Sequence, residues 1–353
     1  MSKKKYLFLF IVFVFGLFIS FIQMGTNSDT EIRAVIDLGR SYTHLKIAEI
    51  NPKSNKLVKM LFQQSVAVPY QQQLLIAKNK NLNPSIIEHG IRTIQQMKET
   101  ANLYKANKII VVASHVLGTA ANIQDFSNKI KQKTGLGLKV ITKDESPQII
   151  LEAALSLTSV AKENAVLWYL GQSEDETKLI TLDKNKQLKV DYDKDLTAII
   201  FKDYITKNIQ KKTPAVSSPN PMSAEDISKA LDFVKQNASK LPSIFKEKIG
   251  DKNNSVIAYG KLFQYYIKDL VLGFPADNGS TPKIITRKQV EVFLGQLKGQ
   301  DDANLSQSVE LYPEIVVSNV IIVLGFMQEL GIEQIEVIEL NETYASLFSA
   351  DFN

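Results

Sequence analysis

The chain opens on an apolar block: residues 6–24 (YLFLFIVFVFGLFISFIQM) carry no charge, and Lys3, Lys4 and Lys5 stand immediately before them. About 20 apolar residues cross a bilayer, whereas the core of a secretory signal runs ~7–15 and ends at a small-residue cleavage site. No Ala-x-Ala-like site follows and no cysteine is available for a lipid-modified one. The pattern therefore predicts an uncleaved signal anchor, with a cleaved signal peptide as the alternative. Positive charge is retained on the cytoplasmic side, which makes residues 1–5 a cytoplasmic tail and places the body in the periplasm. The expectation is a single-pass inner-membrane protein whose polar stretch 25–31 links the anchor to the body.

Beyond residue 31 the patterning alternates between periods of two and of about 3.6. IRAVIDLG (32–39) and THLKIAEI (43–50) read as two strands of a hairpin, and 57–67 as a third strand. A helix is predicted over 84–103 with Pro at its start, a strand over 108–114, a helix over 122–134, a strand over 138–142 and a helix over 146–160. A second set then begins: VLWYLGQSEDETKLITL (166–182) repeats the strand, Gly-containing turn and strand, and KQLKVDY (186–192) adds a third. Helices over 224–248, 286–297 and 314–330, strands over 255–259 and 334–340, and a short final helix complete the reading. Alternation of this kind points to an α/β fold with helices on the faces of mixed sheets, and the repeated order suggests two duplicated domains, 32–160 and 161–353. Between them in character is 207–226, where Pro214, Pro219 and Pro221 among serines predict an exposed loop.

Composition narrows the chemistry. Lysine and arginine exceed aspartate and glutamate by 42 to 37 in 353 residues, and three of the excess charges are Lys3 to Lys5. The body is near neutral, which argues against a nucleic-acid partner, since such a protein needs a dense basic face. With no cysteine at all, disulfides, thiolate nucleophiles and Cys-ligated metals are excluded. His44, His89 and His115 lack ligand spacing. Neither a Walker loop, a dinucleotide fingerprint nor a Gly-x-Ser-x-Gly elbow is present. The lysines between 240 and 252 read as a solvated helix end.

The string AVIDLGRSYTHLKIA at 34–48 resembles the opening hairpin of the Ppx/GppA exopolyphosphatase and guanosine pentaphosphatase family, which shares the actin, hexokinase and Hsp70 superfold. The likeness continues through VVASHVLGTAANIQDF (111–126), VITKDESPQIILEAAL (140–155), TRKQVEVFL (286–294) and SNVIIVLGFMQELGIEQIEVIE (318–339), nearly the whole body. The resemblance implies two ribonuclease-H-like domains of the actin-like ATPase superfold with a cleft between them. In that family two Gly-rich turns hold phosphates across the cleft, a carboxylate holds a divalent cation, and a glutamate activates water. Glycines suit such turns because a residue without Cβ lets backbone amides approach an anion.

Carried over by position, the resemblance keeps the frame and loses much of the chemistry. In the first turn Asp37 and Gly39 remain, but Arg40, Ser41 and Tyr42 replace Ser-Asn-Ser. In the second, Gly171 remains, while Tyr169 replaces the metal-binding Asp, Gln172 and Ser173 replace glycines, and Glu174 and Asp175 replace Ser-Thr. Ser146 stands at the catalytic Glu position, followed by Pro147 and Gln148. Gly118 replaces an Arg, Tyr259-Gly260-Lys261 a Gly-Gly-Thr turn, and Asn319 a Gly. Asp37, Gly39, Arg40, Ser41 and Gly171 are thus expected as a vestigial phosphate site. Asp37 reads either as a cation ligand or as a turn-bonding residue, and Arg40 either as an anion ligand or as an exposed turn residue. A register shift of one makes Glu145 a weak candidate for the missing base. Of Trp168 and Tyr169, one is expected in the core and the other over the old cleft.

These readings converge on a membrane-anchored, catalytically inactive family member, acting as a binding or scaffold component for an unidentified protein partner, with no cofactor. A homodimer is left open. The rival is a residual Mg-dependent phosphohydrolase using Asp37 and Glu145. A third reading gives the 207–226 loop a contact role within a larger envelope assembly.

Overall fold

The computed structural model describes residues 30–172, 176–193, 195–212, 218–273, 283–309 and 312–352. The predicted anchor 6–24 lies outside them, and no helix among the described residues is long and apolar enough to cross a membrane.

Two sheets form the frame. The first takes the order β3-β2-β1-β4-β5, from β1 (Glu31–Leu38), β2 (Tyr42–Asn51), β3 (Lys56–Ala67), β4 (Lys108–Ala113) and β5 (Leu138–Val140). β1 pairs antiparallel with β2, and β2 with β3; β1 pairs parallel with β4, and β4 with β5. The second sheet repeats this scheme with β6 (Ala165–Tyr169), β7 (Thr177–Leu182), β8 (Leu188–Asp193), β9 (Ser255–Tyr259) and β11 (Gln334–Ile338). An extra strand, β10 (Lys283–Thr286), pairs antiparallel with β11 at its edge. The two sets read from the sequence are therefore two copies of one topology.

Local chemistry sets the helix ends. Asn83 accepts a hydrogen bond from the Ile86 amide and Pro84 begins the helix Pro84–Leu103. Ser223 with Asp226, and Thr286 with Gln289, form reciprocal capping boxes. Gly135, in a left-handed conformation at φ 74°, ends the helix Ile123–Thr134.

Each sheet has an outer core. Ile36, Leu45 and Ile47 pack with Ile94 and Phe126 on the first sheet. On the second, Trp168 packs with Phe263, Phe326 and the helix Val316–Glu329, which is buried along most of its length. A third core lies between the sheets, where Val35 and Val112 of one meet Leu167 and Ile257 of the other. The helix Ser146–Leu157 and residues 342–352 fill it. Arg33, 1% exposed, ties the last residues to the first sheet: its Nη1 donates to Leu347 O at 3.0 Å and its guanidinium lies 4.9 Å from the Phe352 ring centre.

Three expectations change. The helix predicted over 224–248 is two helices, Ala224–Ala238 and Ser243–Gly250, because Pro242 cannot continue the first. The loop predicted as exposed is docked at its far side, where Ser218, Pro219 and Asn220 are buried. Asn220 Nδ2 and Ser218 Oγ each donate to Asp302 Oδ1 at 2.9 Å, and Lys212 Nζ donates to Pro219 O at 3.1 Å. Residues 213–217 lie outside the described residues. The helices Tyr70–Ile76 and Ala198–Tyr204, the wide helical turn Leu262–Lys268 and β10 were not anticipated.

Candidate functional site

Strand alternation places Asp37, His44 and Ser65 side by side on the face of the first sheet that looks toward the second lobe. Asp37 is the register partner of His44, and His44 that of Ser65. Two residues on, Lys46 pairs with Gln63. This polar row lies where the first sheet faces the second lobe, with Asp37 and Lys46 buried beneath Thr343 and Tyr344.

Asp37 is only 7% exposed, and Thr343 Oγ1 donates to its Oδ2 at 2.5 Å, a contact across 306 residues of sequence. His44 Nδ1 and Ser65 Oγ share a hydrogen bond of 2.7 Å. Burial, then the positive charges of Lys261 and Lys46, push the imidazole below its usual pKa, so it is held neutral. Lys261 belongs to the second lobe, and its influence on His44 marks where the two lobes face each other. Burial likewise lowers the Lys46 ammonium, against the opposing pull of Glu339 at the end of β11. Lys46 Nζ donates to Gln63 Oε1 at 3.2 Å and lies 5.1 Å from the Tyr344 ring centre.

The first turn is pinned from behind. Val68 N donates to Ser41 O at 3.0 Å, Gln71 N to Arg40 O at 2.9 Å, and Gly39 N to Tyr42 O at 3.0 Å. A Cβ on Gly39 would sit 3.1 Å from Tyr42 O, a close approach that the turn would have to relax to admit. Arg40 is half-buried and Ser41 exposed. Tyr42, 49% exposed, stacks on His44 with ring centres 6.0 Å apart.

The second turn is closed from within. The Gly171 amide donates to Thr177 Oγ1 at 3.1 Å, and its carbonyl accepts from Ala198 N at 2.8 Å. Ser173, Glu174 and Asp175 lie outside the described residues. Trp168 is fully buried, its ring 5.0 Å from that of Phe263 and 5.1 Å from that of Phe326. Tyr169 faces the other way, toward the cleft-side core, 5.3 Å from the Tyr259 ring. It also covers Gly260, whose φ is 95°; a Cβ on Gly260 would lie 2.7 Å from Tyr169 Cε2.

The remaining positions have structural partners of their own. Glu145 accepts hydrogen bonds from Thr142 N at 3.0 Å and Thr142 Oγ1 at 2.9 Å, capping the turn before the helix Ser146–Leu157. Those bonds hold its carboxyl below the usual range, which favours a fixed anion over a proton acceptor. Ser146 N donates to Thr142 O at 3.1 Å. Gly118 is pressed against Val140, whose Cγ1 would lie 2.5 Å from a Cβ, so no side chain fits there without repacking. Asn319 is fully buried with neither amide atom bonded.

The structure thus gathers Asp37, Gly39, Arg40 and Ser41 at one turn and puts Lys261 opposite, but engages Glu145 and Gly171 elsewhere. His44, Lys46, Thr343 and Glu339 are the members of the cleft that sequence reasoning passed over. Alternation along β2 carried the signal for the first two, since it puts residues 44 and 46 on one face.

Two sheets of one duplicated, mixed topology facing each other across a cleft define the actin-like ATPase superfold. Within it, residues 47–190 match the model of the Ppx/GppA phosphatase family, a stretch that includes the motifs at 111–126 and 140–155. The fold is shared with the type II variant of the Aquifex aeolicus Ppx/GppA phosphatase, at 16% identity and a TM-score of 0.72, over 90% of this chain and 98% of that one. It is also shared with an exopolyphosphatase from Cytophaga hutchinsonii, at 14% identity and a TM-score of 0.59, over 90% and 97%. No curated protein matches the chain.

Proposed function

We propose that this is a membrane-anchored relative of the Ppx/GppA phosphatases whose site no longer turns over, working as a binding or scaffold component on the periplasmic side of the inner membrane. The observation that carries the reading is the closure of the second turn, where Tyr169 fills the space over Gly260 and Thr177 takes the Gly171 amide. A phosphate cradle needs free, convergent backbone amides and no bulk between them. The engagement of Glu145 with Thr142 and of Asp37 with Thr343 supports the same reading.

A magnesium ion needs about six oxygen ligands in near-octahedral array. Tyr169 offers a ring where the resemblance places a carboxylate, one oxygen of Asp37 already accepts the Thr343 hydroxyl, and no metal-holding group of three His, Asp or Glu occurs among the described residues. The donor set does not fit the ion, and no step is derived through it. The anchor rests on residues 6–24 and the Lys3 to Lys5 cluster, and a protein partner on the periplasmic side, or a second copy of the chain, follows from the scaffold role.

Asp37, buried where the first sheet faces the second lobe, favours the rival reading of a residual phosphohydrolase. Melting the full chain in detergent with magnesium plus polyphosphate separates the two, because a ligand that binds the native state stabilises it by mass action. An unchanged midpoint is expected. A saturable rise that disappears in Asp37→Asn would overturn the proposal.

A further inference from the structure

The described chain begins at Thr30, and what surrounds that point forms a distinct surface. Thr30 Oγ1 donates to Glu49 Oε1 at 2.6 Å, and Glu49 is the register partner of Lys59. Asn107 N donates to Ile32 O at 2.7 Å, and Ile32 N to Asn107 Oδ1 at 2.7 Å, which fastens the end of the helix Pro84–Leu103 beside the same strand. Lys108 pairs in register with Arg33. The Tyr104 ring packs 5.2 Å from that of Phe62. Leu103 and Tyr104, adjacent in sequence, remain 82% and 37% exposed, and Val58, on the strand that carries Phe62, remains 52% exposed, apolar surface at one end of the lobe that needs a reason. Lys59, Lys105 and Lys108 are exposed at this end of the lobe and form no ion pair with a carboxylate among the described residues; Lys108 Nζ lies 5.9 Å from the Phe352 ring centre, on the face of the sheet that meets the second lobe.

We propose that this end of the first lobe docks on the membrane surface, with Leu103, Tyr104 and Val58 entering the headgroup region and Lys59, Lys105 and Lys108 meeting anionic lipid headgroups. The inference rests on the reading of residues 6–24 as an anchor. Five residues separate Met24 from Thr30, and the six steps between them reach at most about 22 Å when fully extended. The anchor therefore holds this end, and no other, close to the bilayer. Lysines within a Debye length of an anionic leaflet are attracted to it, and an aromatic ring beside an aliphatic one suits the interface. Docking would fix the lobes relative to the bilayer and leave the opposite, second lobe facing outward.

Because the chain has no native thiol, single labels can be placed at will. The full chain carrying Leu103→Cys, or Val292→Cys in the second lobe as control, is labelled with a polarity-sensitive fluorophore. It is then reconstituted in vesicles of phosphatidylcholine with or without phosphatidylglycerol. The expected result is a blue shift at position 103, with quenching by lipid-borne nitroxides, in phosphatidylglycerol vesicles only. Both effects should be lost at high salt and in K59E/K105E/K108E, and neither should appear at 292. Resistance to alkaline extraction reports the anchor separately. A chain that resists extraction while its label at 103 stays aqueous would overturn docking alone, and a blue shift without lipid quenching would do so in favour of a protein occupant. Extraction of the chain would overturn the anchor and docking together.

Discussion

If Tyr169 occupies the space over Gly260, the two positions must be energetically coupled, and the size of the coupling follows from the geometry. In Gly260→Ala the new methyl would stand 2.7 and 2.8 Å from two atoms of the Tyr169 ring, on a backbone at φ 95°. A non-glycine residue in that conformation costs ~1–3 kcal/mol, and forcing a methyl into a packed site costs a further ~1–3 kcal/mol. The single substitution should thus destabilise by about 2–6 kcal/mol. Tyr169→Ala loses the ring contact with Tyr259 and the approach of Lys178 at 5.4 Å, together about 1–2.5 kcal/mol. In the double variant the backbone strain remains but the steric clash is gone, so the summed penalties should overshoot the measured one by about 1–3 kcal/mol. Denaturant unfolding of the full chain in detergent, followed by the emission of Trp168, reads this out. Trp168 is the sole tryptophan and is buried next to the site. Strictly additive penalties would refute the packing of Tyr169 on Gly260.

Asn319→Leu should raise stability by about 1–3 kcal/mol, since it replaces a fully buried amide with two unbonded atoms by an apolar group of similar size; a lower midpoint in the same denaturant assay would show that the amide has a partner. His44 has a depressed folded pKa, so the unfolded chain binds the extra proton first: stability should be full above pH 6.5, the unfolded value, and decline as pH falls below it toward the folded value. Melting curves of His44→Gln should lack that decline, and an identical pH profile would contradict the burial of His44 beside Lys261. For Glu145 the carboxyl is depressed by its bonds to Thr142, so the deficit of Glu145→Gln relative to the parent should be complete above pH 4.5 and vanish as the pH drops through the folded value. A deficit that persists in acid would mean the charge is irrelevant there.

Much of the frame was legible because it is local. Period-two runs marked the two hairpins, and the helices expected over 84–103, with Pro84 at its start, and over 122–134 match Pro84–Leu103 and Ile123–Thr134 closely. What escaped is non-local or too short to show a period. Leu262–Lys268 and β10 span seven and four residues, fewer than periodicity can distinguish. The docking of Ser218 to Asn220 depends on Asp302, far along the chain. The site followed the same rule. Substitutions at Tyr169, Gly118 and Ser146 were visible against the family pattern, but their consequences were not. That Gly118 is held by Val140, or Asp37 by Thr343, is a matter of contacts between elements that no spacing encodes. Glu145 shows the converse: a carboxylate one residue from the expected position looked available, yet Thr142 three residues earlier had already engaged it.

The proposed scaffold role requires that the site no longer support phosphoanhydride hydrolysis. Its most direct test is inorganic phosphate release by the purified full chain from polyphosphate and from guanosine pentaphosphate with magnesium, with Asp37→Asn measured alongside. No release above the blank is expected for either protein. Turnover by the parent that Asp37→Asn abolishes would contradict the scaffold role and would establish an enzyme with a rebuilt site.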